Sequence, residues 1–207
     1  MALPSTEGLH VHVFATAAQA TSAAASAVAL ELRRLIRERG RAVGIFDGSL
    51  LPEKFFPTLT AEPEIEWTQV IVFQAAEFLG IDEQSPHCLR RFLTDHFIMR
   101  VPIIEFHAIR GDAANPRAAA SNFADRLAAK PADFAVLGLG DDGRLGLLPP
   151  RECDSGEGES IGIIKVESGS AIALTASALM SCPLLFAVGS GDGHPILSRH
   201  PNAHLYK

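Results

Sequence analysis

The sequence predicts an α/β fold in which a mostly parallel sheet is covered by helices on both faces. Two observations carry that prediction. Short, nearly unbroken apolar runs recur along the chain, as strands do when both of their faces are buried. Between them lie stretches with helical apolar spacing or alanine-rich composition, long enough to be the crossovers that parallel strands require. In such sheets ligands collect at the carboxyl ends of the strands.

The elements follow in order. Residues 9–15, LHVHVFA, alternate as a strand does. Residues 15–40 form an alanine-rich helix whose later part is amphipathic through Val28, Leu32, Leu35 and Ile36, with cations in its last turn and Gly40 as its stop. RAVGIFDG (41–48) is a short apolar strand, and a helix is expected to start at Ser49 with Pro52 in its first turn. WTQVIVFQ (67–74) is the next buried strand, followed by a loop, AAEFLGIDEQ, and a helix from Ser85 to about residue 99, capped by Ser85 with Pro86 behind it. IIEFHAI (103–109) reads as strand, residues 115–130 as helix and DFAVLGL (133–139) as strand. Beyond residue 150, SIGIIKVE and SAIALT are extended, ASALMSC is helical and PLLFAVG (183–189) is the last strand. The acidic, glycine-rich DSGEGE (154–159) reads as a flexible loop.

Composition narrows the function. The 207 residues carry a net charge of -6, which argues against a nucleic-acid or anionic-membrane partner and for small ligands. A chain of this length can bury a full core in one domain without metal or disulfide help. Cys88, Cys153 and Cys182 form an odd, unclustered set, unlike a disulfide framework or a zinc site and consistent with a reducing cytosol. No basic leader precedes an apolar segment, and no apolar run reaches the roughly 18 residues of a membrane span. A cytoplasmic protein is expected.

The strongest local motif lies at 137–151, LGLGDDGRLGLLPPR. Gly138, Gly140 and Gly143 spell G-x-G-x-x-G directly after a strand, the opening of a dinucleotide turn. That turn needs a helix immediately behind it to hold the pyrophosphate. Only residues 144–148 precede Pro149 and Pro150, and Asp141 and Asp142 would repel a pyrophosphate, so a nucleotide is not expected here. No cofactor is expected.

DFAVLGLGDDGRLGLLPP resembles instead the signature of the glucosamine-6-phosphate isomerase and 6-phosphogluconolactonase family, a buried strand ending in G-x-G-x-D-G-H before an apolar stretch and a proline. AVGIFDGSLLP lies where that family carries its phosphate loop, S-G-G-S/T-x-P, and VIVFQAAEFLGIDEQSPHCLRRFLTDHFI resembles its V-x-F-x-x-D-E-Y-x-G segment. IALTASALMSCPLLFAVGSGDGHPIL and SRHPNAHLYK resemble its closing strand, helix and tail. The resemblance spans most of the chain in the family's order. It implies a Rossmann-like sheet with the active site at strand carboxyl ends, a sugar or sugar phosphate as ligand, and leaves a homo-oligomer open.

The departures from the pattern fall on the chemistry. The resemblance places the isomerases' proton-abstracting aspartate at Ala76, followed by Glu77, and the family's histidine at Arg144; of the three groups only Asp142 remains. Alanine takes no proton and arginine stays charged at any accessible pH. In the phosphate loop Gly48 and Ser49 remain, but Asp47 replaces a glycine and sets a carboxylate where a phosphate belongs. Ala171 stands where an arginine is usual, and Asp192 or His194 where a lysine is usual.

The candidate catalytic residues are therefore Asp142, Glu77 and Arg144, and the candidate ligand-binding residues Asp47, Gly48, Ser49, Gly140 and Gly143. Each has a plain structural alternative. Arg144 either clamps an anionic substrate or pairs with Asp141 or Asp142; Glu77 either replaces the lost base or partners a nearby cation; Asp142 either serves the site or bonds its own turn. His10 and His12 share a strand face like a metal pair but lack a third ligand, so no metal is expected. His87 and His107 read as surface or strand-end histidines. Two functions stand: a divergent sugar-phosphate isomerase or lactonase with altered activity, or a non-catalytic binding or sensor module for a small sugar or anion. Losing one acid–base group costs roughly 10² to 10⁴ in rate, so the missing groups favour the second.

Overall fold

In the computed structural model, which describes residues 8–150 and 158–207, seven strands form one parallel sheet and three form a second, antiparallel sheet. Strand β1 (Gly8–His12) leads into helix α1 (Ala17–Arg39). The Thr16 hydroxyl accepts the Gln19 N–H at the helix start, and Gly40, at φ 71°, closes the other end with its N–H on the Ile36 carbonyl. Strand β2 (Ala42–Phe46) follows, then α2 (Phe55–Ala61) and β3 (Val70–Gln74), entered through a 3₁₀ turn at Trp67–Gln69. Next come β4 (Ala76–Phe78), α3 (Leu89–His96), β5 (Glu105–His107), α4 (Pro116–Ala129) and β6 (Phe134–Leu139). The remainder comprises β7 (Ile161–Val166), β8 (Gly169–Leu174), α5 (Ala176–Ser181), β9 (Leu185–Gly189), α6 (Pro195–Arg199) and β10 (Asn202–Tyr206).

The main sheet runs β1-β10-β9-β6-β2-β3-β5, and every residue of β2, β3 and β6 is buried. This explains their unbroken apolar sequences: helices press on both faces. On one face α1 and α2 pack with an aromatic cluster of Phe46, Phe56, Phe97, Phe134 and Phe186. On the other, α4, α5, α6 and the small sheet enclose a mainly aliphatic core. The chain proceeds outward from β2 through β3 to β5, and from β6 through β9 to β10 in the opposite direction. That makes the gap between β2 and β6 the switch point at which such sheets form crevices.

Four expectations change. The tail is no appendage: β10 pairs in parallel with both β1 and β9, so PLLFAVG is not the last strand. The segment after β3 is not wholly loop, because Ala76–Phe78 pairs with β8. The helix expected at Ser49 begins only at Phe55, since the Ser49 hydroxyl is engaged with Asp47 rather than capping. The helix expected from Ser85 begins at Leu89 and ends at His96; Ser85 accepts the His87 N–H within a local turn. Cys88 and Cys182 are free and buried, whereas Cys153 and most of the expected loop at 154–159 lie outside the described residues. No helix among the described residues is long and apolar enough to cross a membrane.

Candidate functional site

Asp47 is fully buried at the end of β2. Its carboxylate accepts the Ser49 N–H at 2.8 Å, the Ser49 hydroxyl at 2.6 Å, the Leu50 N–H at 3.1 Å and, from the end of β6, the Gly138 N–H at 3.1 Å. Convergent backbone N–H groups of this kind make an anion cradle. Here the anion is the chain's own side chain. Gly138 permits the closeness: a Cβ there would lie 2.2 Å from the Leu50 carbonyl carbon, so the turn after β2 rests directly on β6. Gly48 is likewise packed, 3.2 Å from the Leu89 carbonyl oxygen by the same measure.

Glu77 is also buried, on β4, and its oxygens are taken. They accept the N–H groups of Phe78 (3.0 Å), Leu89 (3.1 Å) and Arg90 (2.6 Å), the Gln74 amide (3.1 Å) and the Cys88 thiol (3.5 Å). Leu89 and Arg90 open α3, so Glu77 supplies the cap and the negative charge that a helix start favours. Beside it, where the resemblance places a base, Ala76 borders a void of about 10 Å³ lined by aliphatic residues including Leu137, Leu145, Leu148 and Leu174. A space of that size holds about one water.

The glycine-rich loop after β6 doubles back instead of starting a helix. The Gly140 N–H donates to the Arg144 carbonyl, the Gly143 N–H to the Gly140 carbonyl and the Gly146 N–H to the Gly138 carbonyl, with Gly143 at φ 80°. Asp142 accepts the Arg144 N–H at 3.1 Å and its Nε at 2.5 Å. Those bonds, the backbone one foremost, hold the Asp142 carboxyl below the usual carboxylate range. Asp141 bonds the Ser190 hydroxyl.

This loop forms one wall of a cleft of about 830 Å³ at the carboxyl ends of β6, β9, β10 and β1, within the range of small-molecule sites. Leu50 and Pro52 close one side, the start of α1 from Thr16 the other, and Phe14, Tyr206 and Lys207 stand at the back. The Phe14 and Tyr206 rings lie 6.4 Å apart and nearly parallel. Burial pushes the Tyr206 phenol up to about 12, so it stays a neutral hydroxyl.

Of the residues singled out in the sequence, Asp142, Arg144 and Gly140 border this cleft. Asp47, Gly48, Ser49, Glu77 and Gly143 do not. Phe14, Thr16, Ser190, Tyr206 and Lys207 were not picked out by sequence; Thr16 alone carried a signal, as a cap residue before a long apolar-periodic run. No group of three or more histidine, cysteine or acidic side chains suited to a metal occurs among the described residues.

Comparison with known proteins adds lineage to this geometry. A family model for glucosamine-6-phosphate isomerases/6-phosphogluconolactonase matches residues 15–194. The chain is 27% identical over 124 residues to a glucosamine-6-phosphate deaminase of Streptococcus sanguinis, covering 59% of this chain and 52% of that one. It is 30% identical over 157 residues to a 6-phosphogluconolactonase of Pseudomonas aeruginosa, covering 69% and 60%. The chain spans about half the length of the curated deaminases it matches. In fold it resembles a 6-phosphogluconolactonase from Trypanosoma brucei (TM-score 0.79, 14% identity, 97% and 96% covered). A monomeric glucosamine-6-phosphate deaminase is similar too (TM-score 0.76, 14% identity, 94% and 95% covered).

Proposed function

The chain belongs to the glucosamine-6-phosphate isomerase/6-phosphogluconolactonase family, and from that premise we propose that it is a non-catalytic member that binds an uncharged sugar in the cleft beside Arg144. One observation carries the reading: the anion cradle at the end of β2 is filled by Asp47. A phosphate entering there would have to displace a carboxylate from four hydrogen bonds. Bonds to a charged acceptor contribute about 1.5–3 kcal/mol each.

The proton-transfer groups point the same way. Ala76 offers no base, and the void beside it has no room for a sugar ring. Glu77 faces donors on every side and caps a helix. Asp142, held low by Arg144, is a weak base near neutral pH, and the Arg144 guanidinium does not give up a proton there. The cleft retains what sugar recognition uses. Phe14, half-buried at the mouth of the cleft and backed by the buried Tyr206 ring, offers an apolar ring to the C–H face of a sugar, while Thr16, Ser190, Asp142 and Arg144 offer donors and acceptors for its hydroxyls.

Turnover assays with glucosamine 6-phosphate and 6-phosphogluconolactone are expected to show no reaction. Activity within about tenfold of ordinary members would overturn the reading, because loss of one acid–base group alone costs roughly 10² or more. Calorimetric titration with D-glucose is expected to show binding that Tyr206→Ala weakens, and glucosamine 6-phosphate is expected to gain nothing from its phosphate.

A further inference from the structure

Behind the cleft, the side chains of β1 and β10 form a continuous stack along the α1 face of the sheet. From the cleft inward the order is Phe14, Tyr206, His12, His204 and His10. The ring centroids are 6.4 Å apart for Phe14 and Tyr206, 4.5 Å for Tyr206 and His12, 5.3 Å for His12 and His204, and 4.8 Å for His204 and His10. The register explains the stack, because His10 pairs with His204 and His12 with Tyr206 across a parallel ladder. Within it His12 Nε2 and His204 Nδ1 share a hydrogen bond of 3.0 Å. An imidazole–imidazole bond needs one nitrogen without a proton. It tolerates a single added charge and cannot survive two.

Among the described residues, no carboxylate bonds His12 or His204 to pair with an added charge. His204 is 1% exposed, lies against Phe186, and its Nε2 has no hydrogen-bond partner. Helix α1 packs over β9 and β10, and its residues 17–30 contain no charged side chain. Strand β9 likewise carries none. Among the groups of β10, Lys207 follows Tyr206 but turns its ammonium toward Asp192, 3.8 Å away. Helix α6 packs on the other face of β1 and β10, where Ile196 and Leu197 meet Leu9 and Leu205. On that side His200 is bonded to the Cys182 carbonyl and the Asn202 N–H, and Arg199 ends the helix. Burial holds His204 down to about 4, and His12 is lowered by burial and by His10.

We propose that this histidine stack makes the back wall of the cleft proton-sensitive: protons entering both His12 and His204 as the solution is acidified separate His12 from Tyr206 and weaken ligand binding in the cleft. Two imidazolium rings at stacking distance repel each other, and the strand pair that holds Tyr206 and Phe14 must open to hydrate them. The consequence for ligand affinity rests on the sugar-binding reading above. The consequence for Tyr206 does not.

The chain has one tyrosine and one tryptophan, which separates the two readouts. Ring-labelled tyrosine is followed by NMR from pH 8 to pH 3.5, while Trp67 fluorescence, from the aromatic core under α1 and α2, reports global unfolding. The Tyr206 ring signals are expected to shift with a midpoint below the ordinary histidine value of about 6.5, before Trp67 responds. In His12→Phe, which keeps a ring against Tyr206 without a titrating group, most of that shift should vanish. In His204→Phe, which removes the bond partner, the midpoint should rise. D-glucose affinity should fall about tenfold from pH 7.5 to pH 4, the effect of one pKa unit of coupling. Flat Tyr206 signals in the wild type, an unchanged titration in both variants, or equal glucose affinity at both pH values would overturn the proposal. If glucose binds at neither pH, the sugar-binding reading fails, and the Tyr206 titration alone decides the switch.

Discussion

With glycine at position 47, the N–H groups of Ser49, Leu50 and Gly138 would converge on open space, as they do where a loop holds phosphate. The aspartate fills that space from within the chain. Asp47→Gly should therefore do two things at once. It orphans three backbone donors, each worth about 1–3 kcal/mol when left buried and unpaired, so the urea midpoint should fall by an amount equivalent to about 3 kcal/mol or more. It also reopens the cradle, so inorganic phosphate should raise the variant's melting temperature and leave the wild type unmoved. Equal stabilisation of both by phosphate would mean that the carboxylate does not block the cradle. The mismatch at 47 was legible in the sequence as a charge in the wrong place. What it does there was not, because its fourth donor, Gly138, stands 91 residues away.

Helix α3 is short, eight residues, and no side chain in its own first turn caps it. Glu77 on β4 does so across a gap of 12 and 13 residues, which ties the helix to the small sheet. Glu77→Ala is expected to cost about 2–4 kcal/mol, combining the cap loss with buried donors left unpaired. Glu77→Gln should cost less, since one carbonyl oxygen remains to accept. Denaturant unfolding of the two variants measures both, and wild-type stability in Glu77→Ala would rule out the capping role. Elements whose signals are local were readable: α4 opens at Asn115 with Pro116 behind it, and α1 ends at Gly40, as the sequence indicated. The Ser85–Pro86 pair carries the same local signal, yet α3 ignores it because a distant carboxylate offers its first N–H groups a better acceptor. Strands β4 and β10 were missed for a related reason. They lack the unbroken apolar run of the interior strands, and their partners come from remote parts of the chain.

At the scale of the whole molecule, the sheet's interior was legible because burial on both faces writes itself into β2, β3, β6 and β9 as apolar runs. The cleft was not, since its back wall depends on β10 entering the sheet between β1 and β9. That insertion also places a titratable ring, His204, in the core, and so fixes how stability depends on pH. In the unfolded chain this imidazole protonates near 6.5; folded, burial holds it to about 4. Between those values the unfolded state binds more protons, so stability rises with pH across the window, is complete above 6.5 and drains away as the pH falls toward 4. The full shift is worth up to about 3 kcal/mol. His12, His194 and His200, also lowered chiefly by burial, act in the same direction. Urea midpoints measured at intervals from pH 8 to pH 4.5 should hold level above pH 7 and then decline steadily. His204→Phe should flatten the decline, because it removes the ring that must stay neutral while filling the same place against Phe186. A wild-type midpoint that holds level down to pH 5 would show that the buried histidines find their protons a partner in the folded state after all.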